Sequence, residues 1–346
     1  MNFGRVEREK LVTAQGVDEV DGVIEITLRP SKIGDFVGQE NLKENLKIAL
    51  SAAKKRKEPA EHILLSGPPG LGKTTLAHIV AHEMGAKIMA TSGPAIERAG
   101  DLIGILTNLE EGDILFIDEI HRLSKVVEEF VYPAMEDYKI DFIVDKGPYA
   151  KTIKFSLKRF TLIGATTRQG LLSSPLRDRF GLSFHLDFYS PEDLTKIIQR
   201  SAKLLSISIE DDAASQLARR SRGTPRVANK LLRRVRDYVQ VKSKGGITSA
   251  VVDKALDGHG IDKSGLDALD RKVLSALIEL YGGGPAGVES IAATLNEEVD
   301  TLVDVVEPFL LKSGFLKRTS RGREATPLAR QHLGYSGAKT KETSLF

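Results

Sequence analysis

Hydrophobic and polar positions alternate along the first half of the chain in two distinct patterns. Short runs of almost entirely apolar residues are typical of strands that are buried on both faces. Longer stretches between them repeat apolar residues at helical spacing, as Leu42, Leu46 and Leu50 do within residues 39–57. Strands that alternate with helices predict a parallel sheet covered by helices. The predicted strands are 62–66, 87–91, 114–118, 160–165 and 183–187.

The pattern changes after residue 189. Strand-like runs stop, and helical patterns begin at Pro191, Glu210, Thr224 and Thr248. These patterns predict an all-helical unit that ends near residue 260.

The last part of the chain has a third pattern. Helical spacing over residues 266–281, 288–295 and 298–311 is followed by two short strand-like runs around a turn at 319–322. Three helices and a hairpin in this order are typical of a winged helix. We therefore predict three domains: α/β over residues 1–189, all-helical over 190–260 and winged helix over 261–346. Within them, residues 1–27 are expected to form a polar, weakly structured lead-in, and residues 337–346 a polar end that frays.

Composition narrows the class of protein. The chain has no cysteine, which excludes disulfide scaffolds, cysteine-bound zinc, iron–sulfur clusters and thiol nucleophiles, and favours a reducing compartment. No run reaches the roughly 18 apolar residues that a membrane helix needs. We expect a cytoplasmic protein without a membrane partner. The net charge of +3 is too small to indicate nucleic acid, so a basic surface has to come from local clusters.

The segment from Gly67 to Thr74 reads GPPGLGKT and follows a predicted strand. This is the G-x-x-x-x-G-K-[ST] pattern, whose backbone N–H groups form a concave phosphate site. Lys73 supplies a positive charge for the β and γ phosphates, and the Thr74 hydroxyl can ligate Mg²⁺. A chance glycine-rich turn is the alternative, and the flanking strand and helix count against it.

Two carboxylates, Asp118 and Glu119, end the apolar run 114–118. At the carboxyl end of a strand beside the phosphate loop, Asp118 can hold a metal-bound water and Glu119 can polarise the attacking water. Paired acids after a strand are often only a solvated turn. Downstream of a phosphate loop, they indicate a hydrolase. His121, which follows, is predicted to pack or to support its neighbours, because the seven histidines have no metal-binding spacing.

Three more residues have candidate roles that the sequence leaves open. Thr167 follows another apolar run, where its hydroxyl could reach the γ-phosphate or the water. Arg179 lies near a predicted helix end, where it could form an ordinary surface pair or reach a neighbouring subunit's nucleotide; the residues alone favour the surface pair. Arg226 lies in the first turn of a helix that Thr224 and Pro225 begin, and a solvated arginine is the alternative.

A basic segment lies at the predicted wing. Residues 312–323 contain no acidic residue and five basic ones, which are Lys312, Lys317, Arg318, Arg321 and Arg323. A basic hairpin after a recognition helix suits contacts with the phosphates of a duplex, and a solubilising turn is the alternative.

With these motifs in this order, the chain resembles the AAA+ ATPases and, more closely, the RuvB family of Holliday-junction branch-migration motors. The Gly-Ala-Thr-Thr-Arg block ending at Arg168 and the Arg-Gly-Arg wing are the most specific parts. The resemblance covers residues 28–334 and implies a P-loop AAA+ parallel-sheet core, an all-helical lid domain and a C-terminal winged-helix domain. The blocks are 28–30, 67–76, 118–122, 162–168, 175–181, 223–226 and 318–323.

The resemblance also implies roles for individual residues. Leu28, Arg29 and Tyr189 would frame the adenine and ribose of ATP, and residues 136–138 would also approach the nucleotide. Thr167 would be sensor 1, Arg226 sensor 2, and Arg179 the arginine finger offered to the next subunit, which reverses the preference from the residues alone. The remaining implied contacts are Gly70, Gly72, Lys73, Thr74 and Thr75 for phosphates and Mg²⁺, Glu136, Asp137 and Tyr138 for nucleotide, and Arg318, Arg321 and Arg323 for DNA.

The resemblance extends to partners. It implies a homohexamer on the duplex arms of a Holliday junction, with RuvA docked on an inserted hairpin at residues 139–155 and RuvC resolvase as a further partner. Without the resemblance, that segment, with Phe142, Ile143 and Val144 before a Gly147-Pro148 turn, is a plain edge hairpin. Val299 stands where some family members have a DNA-contacting arginine, which shifts DNA contact towards the wing.

Two functional hypotheses follow. The first is an ATP-hydrolysing motor that moves the arms of a four-way junction. The second is a nucleotide-switched AAA+ origin-initiator-type DNA-binding protein, which would hydrolyse ATP slowly and prefer particular duplex sequences. A clamp-loader subunit is disfavoured by the winged helix and by the missing zinc module.

Overall fold

The computed structural model of the protein describes residues 27–144, 151–242 and 245–335. The lead-in before residue 27, the hairpin turn at Gly147-Pro148 and the terminal segment 337–346 therefore lie outside the described residues. Contacts divide the chain into two units, residues 1–189 with 203–206 and residues 190–202 with 207–346. The lid and the winged helix fall in one unit, so the boundary between residues 260 and 261 stays a prediction.

The first unit is built on a five-stranded parallel sheet in the order β2-β3-β6-β1-β7. The parallel sheet predicted from the alternating patterns is confirmed, with strand ends that differ from the prediction by at most two residues. All residues of the central strands β1 and β6 are buried, as a sheet covered on both faces requires. The strands are β1 (Ile63–Ser66), β2 (Ile88–Ser92), β3 (Ile114–Asp118), β6 (Thr161–Thr166) and β7 (Leu182–His185).

Helices and one hairpin surround this sheet. The predicted apolar face of the first helix is confirmed, since Leu42, Leu46 and Leu50 are buried. Strands β4 (Lys139–Val144) and β5 (Lys151–Ser156) form a separate antiparallel pair, which is the predicted hairpin. The helices are α1 (Glu40–Arg56), α2 (Lys73–Met84), α3 (Ala99–Thr107), α4 (Lys125–Glu136) and α5 (Ser174–Arg177).

The second unit begins with four amphipathic helices. Each starts within one residue of its predicted position, because each start is marked locally by a proline or by a polar residue before the first helical turn. The helices are α6 (Pro191–Leu204), α7 (Asp211–Arg220), α8 (Pro225–Lys242) and α9 (Ser249–Gly258).

A winged helix completes this unit around its own core of buried apolar residues. The predicted third helix is not one regular α-helix: α12 and α13 are joined by a π turn over Leu302–Val306. Pro308 has no backbone N–H, which disrupts regular α-helical bonding at this point. A short helix after the wing was not predicted. The elements are α10 (Ala268–Glu279), α11 (Val288–Leu295), α12 (Val299–Thr301), α13 (Glu307–Lys312), β8 (Leu316–Thr319), β9 (Gly322–Ala325) and α14 (Pro327–His332).

The helices that the structure describes include no candidate membrane span. None of them combines the length and the apolar character needed to cross a bilayer.

Candidate nucleotide and DNA sites

The phosphate loop connects the carboxyl end of β1 to α2. Gly67 has φ 134°, and a Cβ atom there would lie 2.4 Å from the carbonyl oxygen of Leu186, so only glycine fits. Gly72 has φ 104° and precedes the first turn of α2, in which Thr74 and Thr75 are half-buried. Backbone N–H groups at the N-terminus of a helix that follows such a loop favour the binding of an anion.

Lys73 lies inside the loop and is only 7% exposed. Its Nζ donates hydrogen bonds to the carbonyl oxygens of Gly67 at 2.7 Å and Pro68 at 2.9 Å. Burial lowers the pKa of Lys73, while the negative charges of Glu119 and Asp118 act in the opposite direction. Both carboxylates are therefore within electrostatic reach of the lysine, as the motif order predicts.

Asp118 and Glu119 stand at the carboxyl end of β3. Asp118 accepts a hydrogen bond from the backbone N–H of Glu119 at its Oδ1, and burial raises the pKa of its carboxyl group. Glu119 has a left-handed backbone, φ 47°. Such a conformation is uncommon for a residue with a side chain. The Glu119 side chain meets Thr167, whose hydroxyl donates to Oε2 at 3.1 Å.

His121 joins this group from the turn after Glu119. Its Nδ1 lies 2.9 Å from the hydroxyl of Thr166 and 3.2 Å from Oε2 of Glu119. The ring thus connects the ends of β3 and β6 and supports Glu119, which agrees with the supporting role expected from the sequence.

The donor set at this edge fits a magnesium ion bound together with a triphosphate. Asp118 uses Oδ1 for a backbone contact, and Oδ2 has no hydrogen-bond donor among the described residues. No cluster of three or more His, Asp or Glu in the described part of the chain could hold a metal alone. Magnesium typically takes one or two protein oxygens and completes its shell with water and phosphate oxygens.

Two of the residues expected near adenine and ribose lie close to the phosphate loop or to α2. Tyr189 is buried and donates a hydrogen bond to the carbonyl oxygen of Leu71 at 3.1 Å. Leu28 is also buried. The pKa of His78 on α2 is lowered first by its own partial burial and then by the positive charge of Arg29. Arg29 therefore lies near α2. Phe36, which the sequence did not single out, lies 3.2 Å from a Cβ position at Gly72.

Residues 136–138 and Arg179 lie away from this loop, at the amino ends of the strands. Tyr138 packs on Phe160, the residue before β6, with ring centroids 5.8 Å apart. The six residues of β6 separate that end from Thr167 by about 20 Å. Arg179 precedes the amino end of β7, which is paired with Ile63 at the amino end of β1. Neither group can therefore meet the phosphates held by its own chain.

The guanidinium of Arg179 is held in place by three contacts. It lies 4.4 Å over the ring of Tyr132, pairs with Glu136 at 3.0 Å and donates to the carbonyl oxygen of Pro175 at 2.7 Å. Its side chain remains 23% exposed, so it is not sealed in the core. Tyr132 and the pairing with Glu136 carried no signal in the sequence.

The second unit carries the other predicted arginines. Arg226 is exposed in the first turn of α8. On the wing, Arg318 and Arg321 are exposed, as the DNA hypothesis requires. Val299 is half-buried and packs on the core of the winged helix.

Arg323 departs from the prediction of a basic wing surface. It is 9% exposed, and its Nε and Nη2 donate to the two carboxylate oxygens of Glu307 at 2.5 and 3.2 Å. Glu307 is itself 5% exposed. The guanidinium therefore ties the wing to α13, because a carboxylate that has lost its hydration needs a charged hydrogen-bond partner to offset that cost.

Comparison with known proteins decides the family. Residues 28–186 match the family described as the Holliday junction DNA helicase RuvB P-loop domain, residues 189–262 the RuvB AAA lid domain, and residues 263–334 the RuvB C-terminal winged helix domain. The chain belongs to the RuvB family of Holliday-junction branch-migration motors. The AAA+ core, helical lid and winged helix expected from the sequence are confirmed.

RuvB relatives match nearly the whole chain. The Holliday junction branch migration complex subunit RuvB of Desulfosudis oleivorans is 58% identical over 323 residues, which cover 93% of this chain and 94% of that protein. The Thermotoga maritima RuvB Holliday junction branch migration motor is 51% identical with a TM-score of 0.84, over 90% of this chain and 100% of that one. An arginine-to-alanine variant of the Thermotoga protein matches with a TM-score of 0.83, 51% identity and coverage of 90% of this chain and 99% of that one.

Proposed function

We propose that this RuvB-family protein works as a hexameric ring that hydrolyses ATP with Mg²⁺ and moves the duplex arms of a Holliday junction together with RuvA. The observation that carries the proposal is the placement of its charged groups. Lys73, Asp118 and Glu119 meet at the carboxyl edge of the sheet, whereas Arg179 stands at the amino edge. A complete hydrolytic site then needs two subunits.

Within one subunit, the residues have separable tasks. Open N–H groups of the loop and the Lys73 ammonium bind the β and γ phosphates. Thr74 and Asp118 would hold Mg²⁺, which neutralises developing charge on the phosphates when it is bound. Glu119 orients the attacking water and accepts its proton, and the Thr167 hydroxyl keeps that carboxylate in position. Burial of Lys73 keeps water away from the loop side of the phosphates.

Between subunits, Arg179 supplies the missing positive charge. Its contacts with the Tyr132 ring and the Glu136 carboxylate hold the guanidinium at the amino edge of the sheet, where its side chain is 23% exposed. An arginine that arrives from a neighbour stabilises charge on the transferred phosphoryl group. Hydrolysis then depends on how subunits pack, which links it to their rotation. Arg226 in the lid would sense the nucleotide of its own subunit.

Contacts with DNA and with RuvA fall on separate surfaces. Exposed Arg318 and Arg321 at the wing would hold phosphates of a duplex arm. The β4–β5 hairpin, with Phe155 39% exposed, would dock RuvA. Side chains of Phe142, Ile143 and Val144 lie outside the described residues, so their part in this surface stays a prediction. RuvC as a further partner stays a prediction from the family resemblance, and a cytoplasmic location stays a prediction from the composition of the chain.

A synthetic four-way junction tests this function. We expect ATP-dependent strand exchange that RuvA stimulates, and little unwinding of a linear duplex of the same length. Equal action on both substrates, or exchange without ATP, would contradict a junction motor. Slow turnover with a preference for one duplex sequence would instead support the origin-initiator alternative.

A further inference from the structure

Arg222 occupies the turn between the lid helices α7 and α8. Its backbone is left-handed, φ 56°, and its side chain is 12% exposed. Ser221 before it and Thr224 after it are buried, so the turn is anchored in the lid on both sides. Arg226, the residue proposed to sense nucleotide, follows four positions later in the first turn of α8.

The Arg222 guanidinium contacts residues of the winged helix. Its Nη1 lies 2.9 Å from Oδ2 of Asp267, and its Nη2 lies 3.0 Å from Oδ1 of Asp270. The same Nη2 donates to the carbonyl oxygen of Val305 at 3.2 Å, and the guanidinium lies 4.6 Å over the ring of Phe309. All of these partners fall within the segment that matches the RuvB winged-helix domain.

Both carboxylates are oriented for this contact by the N-terminus of α10. Asp267 accepts the backbone N–H groups of Leu269 and Asp270 at Oδ1, which leaves Oδ2 for Arg222. Asp270 accepts the backbone N–H of Asp267 at Oδ2, which leaves Oδ1 for Arg222. A planar guanidinium can meet two carboxylates held this way, whereas a lysine ammonium offers no such fork.

Arg222 also reaches the third helix of the winged helix, residues 299–312, which is the recognition helix of this fold. Val305 belongs to the π turn between α12 and α13, where the regular α-helical bonding is interrupted, and Phe309 lies in the first turn of α13. Arginine donation to a carbonyl in such a turn stabilises it from outside the helix. One lid side chain therefore holds both the first helix and the recognition helix of the winged helix.

Neighbouring contacts keep the same junction compact. A Cβ atom at Gly265, φ 82°, would lie 2.9 Å from the carbonyl oxygen of Arg220 at the end of α7. His332 of α14 lies 2.7 Å from Oδ2 of Asp262. These contacts limit hinge motion between lid and winged helix, since packed elements move as units.

We propose that Arg222 is a positioning residue that couples the lid to the DNA-binding winged helix, so that nucleotide-driven movement of the lid turns the winged helix with it. The proposal rests on the motor function above. Movement started at Arg226 passes through a short turn to Arg222 and from there to the recognition helix. Without Arg222, the lid would still respond to nucleotide, but the winged helix would follow it loosely.

The ratio of junction product to ATP hydrolysed measures this coupling. We expect Arg222→Ala to keep most ATP hydrolysis while the ratio falls about tenfold, and Arg222→Lys to fall between that variant and the unmodified protein. Arg219→Ala is the matched control, because Arg219 is exposed on α7 three positions away and its guanidinium hydrogen-bonds only Ser215 among the described residues. An unchanged ratio in Arg222→Ala, or a loss of hydrolysis in step with migration, would overturn the proposal.

A distance measurement decides the role independently of activity. Because the chain has no cysteine, Lys230→Cys on α8 and Ser290→Cys on α11 would place two spin labels at exposed sites only. We expect one narrow distance distribution with Arg222, a broad one in Arg222→Ala and a narrow one in Arg219→Ala. Equal widths in all three would refute the proposal. If the unmodified protein moved no junction, the motor function would fail, while this measurement would still decide whether Arg222 joins the two parts.

Discussion

The hydroxyl of Thr167 donates a hydrogen bond to Oε2 of Glu119 at 3.1 Å, and the Thr167 backbone N–H donates to the same oxygen at 3.3 Å. The two residues follow neighbouring strands, β3 and β6, of the parallel sheet. A carboxylate held on one oxygen keeps the other free to orient water. The proposed sensor and the proposed base are therefore joined by two hydrogen bonds at the edge of the sheet.

Replacing Thr167 tests this relationship directly. We expect Thr167→Val to lower ATP hydrolysis by roughly tenfold to a hundredfold, because a hydrogen bond to a charged group contributes about 1.5–3 kcal/mol. ATP affinity should change little, which equilibrium titration with a fluorescent analogue would measure. Thr167→Ser keeps the hydroxyl and serves as the control. An unchanged rate in Thr167→Val would contradict a role for the hydroxyl, and an equal loss in Thr167→Ser would show that the hydroxyl alone does not account for the effect.

Glu119→Gln removes the charge that orients the water but preserves the shape of the side chain. We expect ATP binding to persist while hydrolysis falls about a hundredfold or more, the range for loss of a general base. Single-turnover measurement of phosphate release separates the two steps. Normal turnover by this variant would contradict the role of Glu119.

Arg179 and Lys73 act on different nucleotides if the ring is as proposed. Arg179→Ala should bind ATP yet lose about a thousandfold in hydrolysis, the effect of removing an arginine finger. Mixing it with Lys73→Ala should restore part of the activity, because the second variant offers its intact Arg179 to the intact loop of the first. A mixture no more active than its parts would argue that Arg179 acts within its own chain.

The two wing arginines should separate DNA binding from stability. Arg323→Ala leaves Glu307 buried without its partner and should lower the free energy of unfolding by about 3–5 kcal/mol. Arg318→Ala should leave stability unchanged but weaken duplex binding. The slope of the logarithm of the binding constant against the logarithm of salt concentration should fall by about one, the amount for one lost phosphate contact. Urea unfolding and binding titrations at several salt concentrations measure both. If Arg323→Ala weakened only DNA binding, its pairing with Glu307 would not be structural.

Asp270 makes the stability of the second unit depend on pH. Its side chain is fully buried, and burial raises its pKa from 3.8 to about 6, while Arg222 opposes the rise and Asp267 and Asp262 add to it. The folded protein thus binds the Asp270 proton more tightly than the unfolded chain does. The contribution of Asp270 is fully present below pH 4 and is lost as the pH rises through 6.

Urea unfolding between pH 4 and 7 tests this dependence. Relative to Asp270→Asn, the unmodified protein should lose about 2.5 kcal/mol of unfolding free energy as the pH rises across that range. Asp257→Asn, at an exposed carboxyl group on α9, is the control and should parallel the unmodified protein. Parallel curves for the unmodified protein and Asp270→Asn would show that the pKa of Asp270 is not raised.

Local patterns in the sequence were enough to predict most elements of the fold. Strand β3 has the predicted bounds, 114–118, because an apolar run that ends in two acids signals both its burial and its end. The phosphate loop and its flanking strand and helix were likewise predictable, since backbone conformation there depends on glycines at set spacing. The broken recognition helix was missed, although Pro308 was a visible signal for it.

Contacts between distant segments account for what the sequence left open. Nothing near Arg323 in the chain signals Glu307, and nothing near Arg222 signals Asp270, 48 residues away, because partners for a buried guanidinium are selected by packing. By itself, the sequence determined the parallel-sheet core, the lid, the winged helix and the residues around the phosphate loop. Only the tertiary structure decided which arginines face outward and which are held inside. A buried arginine without a partner would lose its hydration uncompensated, so an arginine is held inside only where the fold brings a carboxylate to it.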